Sequence, residues 1–268
     1  LTIDYAGDDR IVLETLGFLK LENPAIKIQI KNSIPAGSGL GGSGLLISGL
    51  MDAVLAYYGV RLSEEKAYNY TMAVEQSLGS GGGWNDTAGS RRRGIKLSQT
   101  SPSSPYRYNI QQRFDKGLEE RCLLFFTGVT RSSKLVSSSI LKKFKNRDPA
   151  VMDMLRLIRE DAINMWNFLN PDFLRYDAFG ETMEKSWSRV REVEPLSSTQ
   201  ELQKAKRAIG DLVSGMKMPG AGAGGFVLAF LRNPDDREIA YRSLRDSFGA
   251  DLEIYNPKFD KGLEITYL

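Results

Sequence analysis

The sequence predicts an α+β fold with two domains. Segments with the alternating pattern of strands are mixed with longer segments of helical periodicity. The two kinds do not follow each other in strict turn, as they do in a doubly wound sheet. The chain has 268 residues, of which 41% are hydrophobic and 26% charged, as in ordinary globular proteins of one large or two small domains. We place the domains at residues 1–115 and 116–268.

The first domain combines a strand with two helices. Residues 25–34 alternate between apolar and polar side chains, which predicts a half-buried strand. Residues 43–58 are apolar without alternation, so we expect a buried helix, and Gly59 supplies its stop signal. Ser63 is expected to cap a second helix that runs to about Leu78.

The second domain is expected to open and close with strands. Short apolar runs predict strands at residues 122–127 and 226–231, and a closing strand is expected at 262–268. Helical patterns cover residues 148–169, 179–193, 198–213 and 235–248. The Ser- and Pro-rich segment 98–106 predicts a linker before this domain.

Two residue counts limit the chemistry. The chain contains no histidine and one cysteine, Cys122, which excludes His-based triads, His-ligated zinc and an intrachain disulfide. Acid–base chemistry must therefore fall to carboxylates, lysines or tyrosines. The net charge of +3 is too small to predict nucleic acid or a membrane as the main partner. We expect a cytoplasmic protein, because a single cysteine is typical of a reducing compartment. We also expect further residues before Leu1, because the chain does not open with methionine.

The first glycine cluster lies between a predicted strand and a predicted helix. Gly37, Gly39 and Gly42 fit the dinucleotide pattern, but that site needs a second strand ending in an acid about 20 residues later. Here another helix follows and Asp52 lies inside the first one, so this site is excluded. The glycines still allow close approach to an anion, and Ser43 adds a hydroxyl for phosphate or Mg²⁺. The alternative is a tight packing turn.

Two carboxylates flank the second glycine cluster. Asp86 is expected at the end of a flexible loop formed by Gly81–Gly83 and Trp84, and Glu75 stands near the end of the preceding helix. One acid of such a pair can hold Mg²⁺ while the other orients a substrate hydroxyl; the alternative is two solvated acids. A third cluster, residues 220–225, is either another close-approach loop or a packing turn.

Together these motifs resemble those of the GHMP kinases, the group of galactokinase, homoserine kinase and mevalonate kinase. The family pattern P-x-x-x-G-L-G-S-S-A-A is similar to residues 35–45, and its later small-residue run resembles residues 220–225. Within the group, residues 81–86, 123–131 and 217–222 look most like L-fucokinases. The resemblance implies the GHMP kinase fold, with an S5-like N-terminal and a ferredoxin-like C-terminal domain.

The resemblance also implies a site for ATP, Mg²⁺ and a sugar. Ser43 and Glu75 match metal-holding residues, and Asp86 matches the acid that orients or deprotonates the sugar hydroxyl. The residues implied for the triphosphate are Pro35, Gly37, Ser38, Gly39, Leu40, Gly41, Gly42 and Ser43. Those implied for the acceptor are Gly82, Gly83, Trp84, Asp86, Arg131, Gly220, Gly222 and Gly224.

The implied activity is ATP-dependent phosphorylation of a sugar, at the anomeric hydroxyl of L-fucose or a related sugar. Two alternatives stay open. One is a D-glycero-D-manno-heptose 7-phosphate kinase, in which Arg91–Arg93 would bind the extra phosphate. The other is a degenerate nucleotide-binding module, suggested by Gly42 and Gly44 where the family carries larger side chains. The expected partners are a small sugar and ATP, with fusion to or association with a nucleotidyltransferase domain.

Overall fold

The chain divides into two compact units. The computed structural model describes all residues except 1, 22–23, 33–37, 80–83, 102, 130–132, 221, 223–224, 260–261, 263, 265 and 267–268, and describes only the backbone of 84, 90, 104–108 and 133–134. The N-terminal unit contains residues 1–36, 41–113 and 260–268, and the C-terminal unit contains residues 37–40 and 114–259. Helices and strands occur in both units, so the α+β class is confirmed. No helix in the described part of the chain is long and apolar enough to cross a membrane.

The N-terminal unit contains four helices and two small sheets among its described residues. Its elements are β1 (Thr2–Asp4), α1 (Asp9–Phe18), β2 (Lys27–Gln29), α2 (Gly42–Tyr57), α3 (Glu64–Ser77), α4 (Trp84–Arg91), β3 (Ile95–Ser101) and β4 (Ser104–Arg113). β1 and β2 pair in parallel, and β3 and β4 form an antiparallel hairpin.

Helix α2 is the centre of this unit. One side of it packs with α1 on the β1–β2 sheet, where Ile28 is buried between exposed neighbours. Another side contributes Ile47 and Met51 to a cluster with Val74 of α3. Burial on two sides explains why the apolar residues of α2 follow no single stripe. The predicted ends are confirmed as well, since Gly59 has a φ of +72° and the Ser63 hydroxyl accepts a hydrogen bond from the Lys66 N–H.

Two expectations for the N-terminal unit are wrong. Segment 98–106 is not a linker: its described residues belong to the β3–β4 hairpin, in which Ile95 is opposite Arg113. Asp86 does not lie in a loop, because α4 begins at Trp84 and places Asp86 in its first turn.

The C-terminal unit is built on one antiparallel sheet. Its elements are α5 (Lys116–Glu119), β5 (Cys122–Phe126), α6 (Ser133–Lys145), α7 (Pro149–Phe168), α8 (Tyr176–Val193), α9 (Gln200–Ile209), β6 (Val213–Lys217), β7 (Phe226–Leu231), α10 (Arg237–Phe248) and β8 (Ile254–Tyr255), with short 3₁₀ turns between them. The strand order is β6-β7-β5-β8. With α6–α9 between β5 and β6, and α10 between β7 and β8, this is the ferredoxin-like arrangement. The expected ferredoxin-like domain is therefore confirmed.

The predicted strands of this unit are confirmed at β5 and β7, whereas β6 and β8 were not foreseen. The helix expected over 198–213 ends at Ile209, and Val213 already belongs to β6. Within α7, Met154 is buried and its neighbour Leu155 is exposed. The closing strand expected at 262–268 falls mostly outside the described residues and stays a prediction.

Candidate functional site

Three helices of the N-terminal unit bring Ser43, Glu75 and Asp86 together. Ser43 lies in the first turn of α2, Glu75 in the last part of α3 and Asp86 in the first turn of α4. Gly44 marks the meeting point. A Cβ added there would lie 3.3 Å from the Asp86 Cβ and 3.5 Å from Glu75 Oε1. The three residues that the resemblance assigns to metal and acceptor therefore lie around one point of the fold.

The N-terminus of α2 is open to an anion. Its N-cap is Gly41, which has a φ of +71° and no side chain to accept a hydrogen bond from the first helical N–H groups. A Cβ on Gly41 would lie 3.0 Å from the Asp86 Cγ, so a larger residue would press against that carboxyl. The N–H groups that lack a side-chain cap and the positive end of the helix dipole make this end a suitable place for phosphate oxygens.

The two carboxylates lie in a poorly hydrated environment. Glu75 is 2% exposed, and burial is the main reason that its pKa rises to about 6. The charge of Asp86 raises the pKa of Glu75 further, and a hydrogen bond with the Ser43 hydroxyl opposes that rise. Burial also raises the pKa of Asp86, whose Oδ1 accepts a hydrogen bond from Asn85 Nδ2 at 2.9 Å. The charge of Asp86 therefore adds to the effect of burial in disfavouring the ionised form of Glu75.

This donor set fits Mg²⁺ bound together with phosphates. Mg²⁺ is usually held by one or two carboxylates, while substrate phosphates and waters complete its octahedron. No group of three or more acidic or Cys side chains able to hold a metal by itself occurs among the described residues. Glu75 and the Ser43 hydroxyl would supply the protein ligands, and a divalent cation would relieve the repulsion between the carboxylates.

In the C-terminal unit, the first and third glycine clusters touch through their backbones. The Phe226 N–H donates to the Ser38 carbonyl at 3.3 Å. A Cβ on Gly39 would lie 2.9 Å from the Pro219 carbonyl oxygen, and a Cβ on Gly220 would lie 2.8 Å from the Gly39 carbonyl oxygen. Both glycines have positive φ, +78° and +65°. Glycine is therefore required at this contact for two reasons, conformation and space.

Two further glycines of the third cluster serve packing. Gly225 leaves no room for a Cβ beside the Ser38 carbonyl, and Gly222 packs against the Trp187 ring. The contact of Gly222 with an acceptor stays a prediction.

In the first glycine cluster, Gly42 is exposed, and Leu40 donates its N–H to the Ser38 hydroxyl.

The remaining predicted site residues fall where the structure gives no side-chain placement. Outside the described residues lie Pro35, Gly37, Gly82, Gly83, Arg131 and Gly224. Trp84 is described by its backbone alone. Their roles stay predictions from the resemblance.

A buried ion pair behind the site was not foreseen. Arg91, at the end of α4, pairs with Asp52 of α2, and their side chains are 11% and 10% exposed. Arg91 also donates to the Ser48 hydroxyl at 3.0 Å. The sequence feature that could have indicated this ion pair was Asp52, a single acid inside an otherwise apolar helix.

The neighbouring arginines also have carboxylate partners. Arg92 pairs with Glu64, and Arg93 lies 3.4 Å from Glu264. Because Arg91–Arg93 are all engaged inside the N-terminal unit, their arrangement does not favour the extra-phosphate role considered for them above.

Two family models match the chain. The model for the GHMP kinases N terminal domain matches residues 10–93, and the model for the GHMP kinases C terminal domain matches residues 166–250. The chain passes from the N-terminal unit to the C-terminal unit between Arg113 and Phe114. The first matched range ends before this point, and the second begins after it.

Curated relatives with kinase names match most of the chain. The bifunctional fucokinase/GDP-fucose pyrophosphorylase of Arabidopsis thaliana is 26% identical over 241 residues, which is 88% of this chain and 23% of that protein. The L-fucokinase/L-fucose-1-P guanylyltransferase of Bacteroides fragilis is 28% identical over 81% of this chain and 23% of that protein. The D-glycero-alpha-D-manno-heptose 7-phosphate kinase of Campylobacter jejuni is 29% identical over 81% of this chain and 64% of that protein. The chain thus spans about a quarter of the two fucokinase relatives.

A solved structure supports the fold. Galactokinase of Lactococcus lactis, complexed with galactose, superimposes with a TM-score of 0.71 at 15% identity, over 97% of this chain and 76% of that one. At this identity the likeness concerns the fold alone.

Proposed function

Because the chain belongs to the GHMP kinase family, we propose that it is an ATP-dependent carbohydrate kinase that transfers the γ-phosphate of ATP to a sugar hydroxyl. The observation that supports this proposal best is the convergence of Ser43, Glu75 and Asp86 at the open N-terminus of α2. Phosphoryl transfer depends mainly on positioning and charge neutralisation, so a chain without histidine can perform it.

Asp86 is the proposed base or orienting group. Its carboxylate accepts a hydrogen bond from the acceptor hydroxyl and takes up the proton as the new bond from the sugar oxygen to the γ-phosphorus forms. The bond from the γ-phosphorus to the β,γ-bridging oxygen breaks, and ADP leaves. Burial raises the pKa of Asp86, which makes the carboxylate a stronger base than an exposed aspartate. The contacts of Asp86 with Gly41 and Gly44 hold it at one edge of the phosphate site.

Ser43 and Glu75 are the proposed metal-holding residues. When bound, Mg²⁺ neutralises charge on the phosphate oxygens. The hydroxyl of Ser43 hydrogen-bonds the Glu75 carboxyl and so fixes its orientation. The N–H groups at the start of α2 contact the β- and γ-phosphates and align them toward Asp86.

L-Fucose, or a sugar similar to it, is the proposed acceptor, with transfer to the anomeric hydroxyl. The motifs at residues 81–86, 123–131 and 217–222 and the two fucokinase relatives support this choice. Those relatives also carry pyrophosphorylase or guanylyltransferase in their names, so we propose that a nucleotidyltransferase domain, fused or associated, uses the product.

The heptose 7-phosphate kinase relative supports a second candidate acceptor. A phosphorylated heptose needs a cationic contact for its phosphate. Since Arg91–Arg93 have carboxylate partners, such an enzyme would have to use other residues. The sugar phosphate therefore belongs in the same assay as the neutral sugars.

The test uses the full-length protein, Mg²⁺-ATP and L-fucose, with ADP release as the readout. Asp86→Ala should reduce turnover at least a hundredfold, the lower range for loss of a general base, while ATP affinity stays within about threefold. The matched control is Asp9→Ala, which removes an exposed aspartate from the first turn of another helix and should leave turnover unchanged. An Asp86→Ala variant with wild-type turnover would remove Asp86 from the mechanism. ATP binding without turnover of any sugar by the wild-type protein would favour the degenerate nucleotide-binding module.

A further inference from the structure

Asn85 lies beside the proposed base in the first turn of α4. It is exposed, and its Nδ2 donates a hydrogen bond to Asp86 Oδ1 at 2.9 Å. An asparagine near the start of a helix more often accepts a hydrogen bond from a backbone N–H through its side-chain oxygen. Asn85 makes no bond of that kind within the described part of the chain, so its amide is directed at the carboxylate of Asp86 instead.

Two other helices border Asp86 on the side of the phosphate site. A Cβ added at Gly41 or Gly44 of α2 would lie within 3.3 Å of the Asp86 Cβ or Cγ. The Cβ position at Gly44 is also 3.5 Å from Glu75 Oε1, so α3 borders the same space. Asn85, in contrast, borders Asp86 on a side that is open to solvent. A sugar that reaches Asp86 from solvent therefore comes close to the Asn85 amide.

The amide of Asn85 has hydrogen-bonding capacity to spare. Nδ2 carries a second N–H, and the side-chain oxygen is an acceptor. Neither group has a further partner among the residues that the structure describes. Asp86 Oδ1 has two lone pairs, so it can keep the hydrogen bond from Asn85 while it accepts one from the reacting hydroxyl.

The spacing of these two side chains matches that of adjacent hydroxyls on a sugar ring. Neighbouring hydroxyl oxygens of a pyranose are about 3 Å apart, which is roughly a hydrogen-bond length. Asn85 Nδ2 and Asp86 Oδ1 are 2.9 Å apart. A sugar whose reacting hydroxyl contacts Asp86 therefore presents the adjacent hydroxyl to Asn85. When the anomeric hydroxyl reacts, the adjacent one is the 2-hydroxyl.

We propose that Asn85 is a specificity-determining residue that recognises the 2-hydroxyl of the acceptor sugar, next to the hydroxyl that is phosphorylated. This inference rests on the proposed kinase function and adds the feature by which the site selects its sugar. A side chain that hydrogen-bonds a substrate hydroxyl disfavours the analogue without it, because the protein group then loses its partner. Asn85 is exposed, so water replaces part of the lost bond and the expected discrimination is moderate.

The test combines a deletion on the protein with a deletion on the sugar. ADP release gives kcat/KM of the full-length wild type and of Asn85→Ala with L-fucose and with 2-deoxy-L-fucose, or with another sugar that is turned over and its 2-deoxy form. The loss on the deoxy sugar should be about tenfold larger in the wild type than in Asn85→Ala. Any intrinsic difference in reactivity between the two sugars is the same for both proteins and cancels in this comparison.

Two further variants accompany Asn85→Ala. Asn85→Gln keeps the amide and should discriminate between the two sugars more strongly than Asn85→Ala does. The matched control is Asn164→Ala, because Asn164 is another exposed asparagine within a helix, α7 of the C-terminal unit. This control should discriminate as the wild type does.

Equal losses on the deoxy sugar in the wild type and in Asn85→Ala would overturn the proposal. If Asn85→Ala lowers kcat by the same factor with both sugars, Asn85 acts only by positioning Asp86, and the proposal is overturned in favour of that role. Both results leave the proposed kinase activity intact, because L-fucose or another sugar is still phosphorylated. Absence of turnover with every sugar would instead contradict the proposed function, and this inference with it.

Discussion

At the scale of single residues, Gly41 and Gly44 determine how closely Asp86 approaches the start of α2. Both positions would place a Cβ within 3.3 Å of an Asp86 side-chain atom. Such distances are shorter than ordinary van der Waals contact, so a larger side chain would displace the carboxyl. The glycine at 44, which departs from the family pattern, is thus compatible with a carboxylate placed close to the start of α2 and is not by itself a sign of a lost site.

Gly44→Ala tests this interpretation. The added methyl should shift Asp86 and lower kcat about tenfold, while the affinity for ATP changes little. Helix propensity favours alanine by about 1 kcal/mol, so the variant should not be less stable. Gly17→Ala is the matched control, because a Cβ at that helical glycine meets nothing within 4 Å. Unchanged kcat in Gly44→Ala would show that Asp86 tolerates the methyl.

The raised pKa of Glu75 predicts a pH dependence of stability. The folded protein holds a proton on Glu75 up to about pH 6, whereas the unfolded chain releases it near 4.5. Between about pH 4.5 and pH 6, Glu75 therefore takes up a proton when the chain folds. The contribution of Glu75 to the free energy of unfolding falls as pH rises through this range. The loss amounts to about 2 kcal/mol without metal.

Glu75→Gln removes this titration. Urea unfolding without Mg²⁺ should show the variant more stable than wild type at pH 7 by up to about 2 kcal/mol, and equal to it at pH 4.5. Mg²⁺ with a nonhydrolysable ATP analogue should stabilise wild type at pH 7 more than it stabilises the variant. The same pH dependence in both proteins would show that the carboxyl of Glu75 is not the titrating group.

At the scale of elements, α4 carries Asp86 and is fastened to α2 by the buried pair of Arg91 and Asp52. This pair lies more than a helical turn from Asp86, so we predict that it acts on Asp86 only by positioning α4. Because Arg91 also bonds to Ser48, two residues of α2 fix the end of α4.

Asp52→Asn tests whether the buried pair of Asp52 and Arg91 fastens α4 to α2 or acts only as a surface charge would. Loss of the carboxylate leaves the Arg91 guanidinium buried without its counter-charge, and the expected cost is about 3 kcal/mol of unfolding free energy. In the molecules that remain folded, kcat should fall more than the KM for ATP rises. Arg92→Gln, which removes a partly exposed pair with Glu64, should cost about 1 kcal/mol or less. Equal losses in the two variants would contradict the account of α4.

The elements that could be predicted are those with a strong local pattern. Alternation revealed β2, and continuous apolar runs revealed β5 and β7, while Gly59 and Ser63 marked helix ends. The acids Glu75 and Asp86 could be found because they flank a glycine cluster.

The elements that were missed owe their structure to partners distant in sequence. The Ser- and Pro-rich β3–β4 hairpin has little apolar content of its own, and its strands are defined by their pairing. β6 contains serine and glycine, and its outer edge is covered by α8, where Glu184 accepts from the Met216 N–H at 3.0 Å. The pair of Asp52 and Arg91 depends on how two helices pack, which no local pattern contains.

At the scale of the whole molecule, the first glycine cluster belongs to both units. Residues 37–40 are grouped with the C-terminal unit, and α2 with the N-terminal unit. The chain between Leu40 and Gly41 therefore joins a segment held by the third glycine cluster to the open end of α2. The backbone contact between Gly39 and Gly220 holds the segment that precedes the proposed phosphate site.

Gly220→Ala should weaken the backbone contact between Gly39 and Gly220. Its Cβ would lie 2.8 Å from the Gly39 carbonyl oxygen, and its positive φ adds about 1 kcal/mol of strain. We expect the KM for ATP to rise about tenfold. Gly59→Ala carries the same strain with nothing within 4 Å, so it should lower stability alone. Equal KM values in the two variants would show that the contact does not position the phosphate loop.

The central claim, that this member of the GHMP kinases phosphorylates a sugar, is tested most directly by identifying the product. The full-length protein is incubated with Mg²⁺-ATP and, in turn, L-fucose, D-arabinose, galactose, mannose and a heptose 7-phosphate, and ³¹P NMR follows the phosphate. The account predicts one new phosphomonoester signal coupled to an anomeric proton, formed with L-fucose or a sugar close to it and absent in Asp86→Ala. ATP that binds but stays intact with every sugar, or a phosphate transferred equally well by Asp86→Ala, would contradict it.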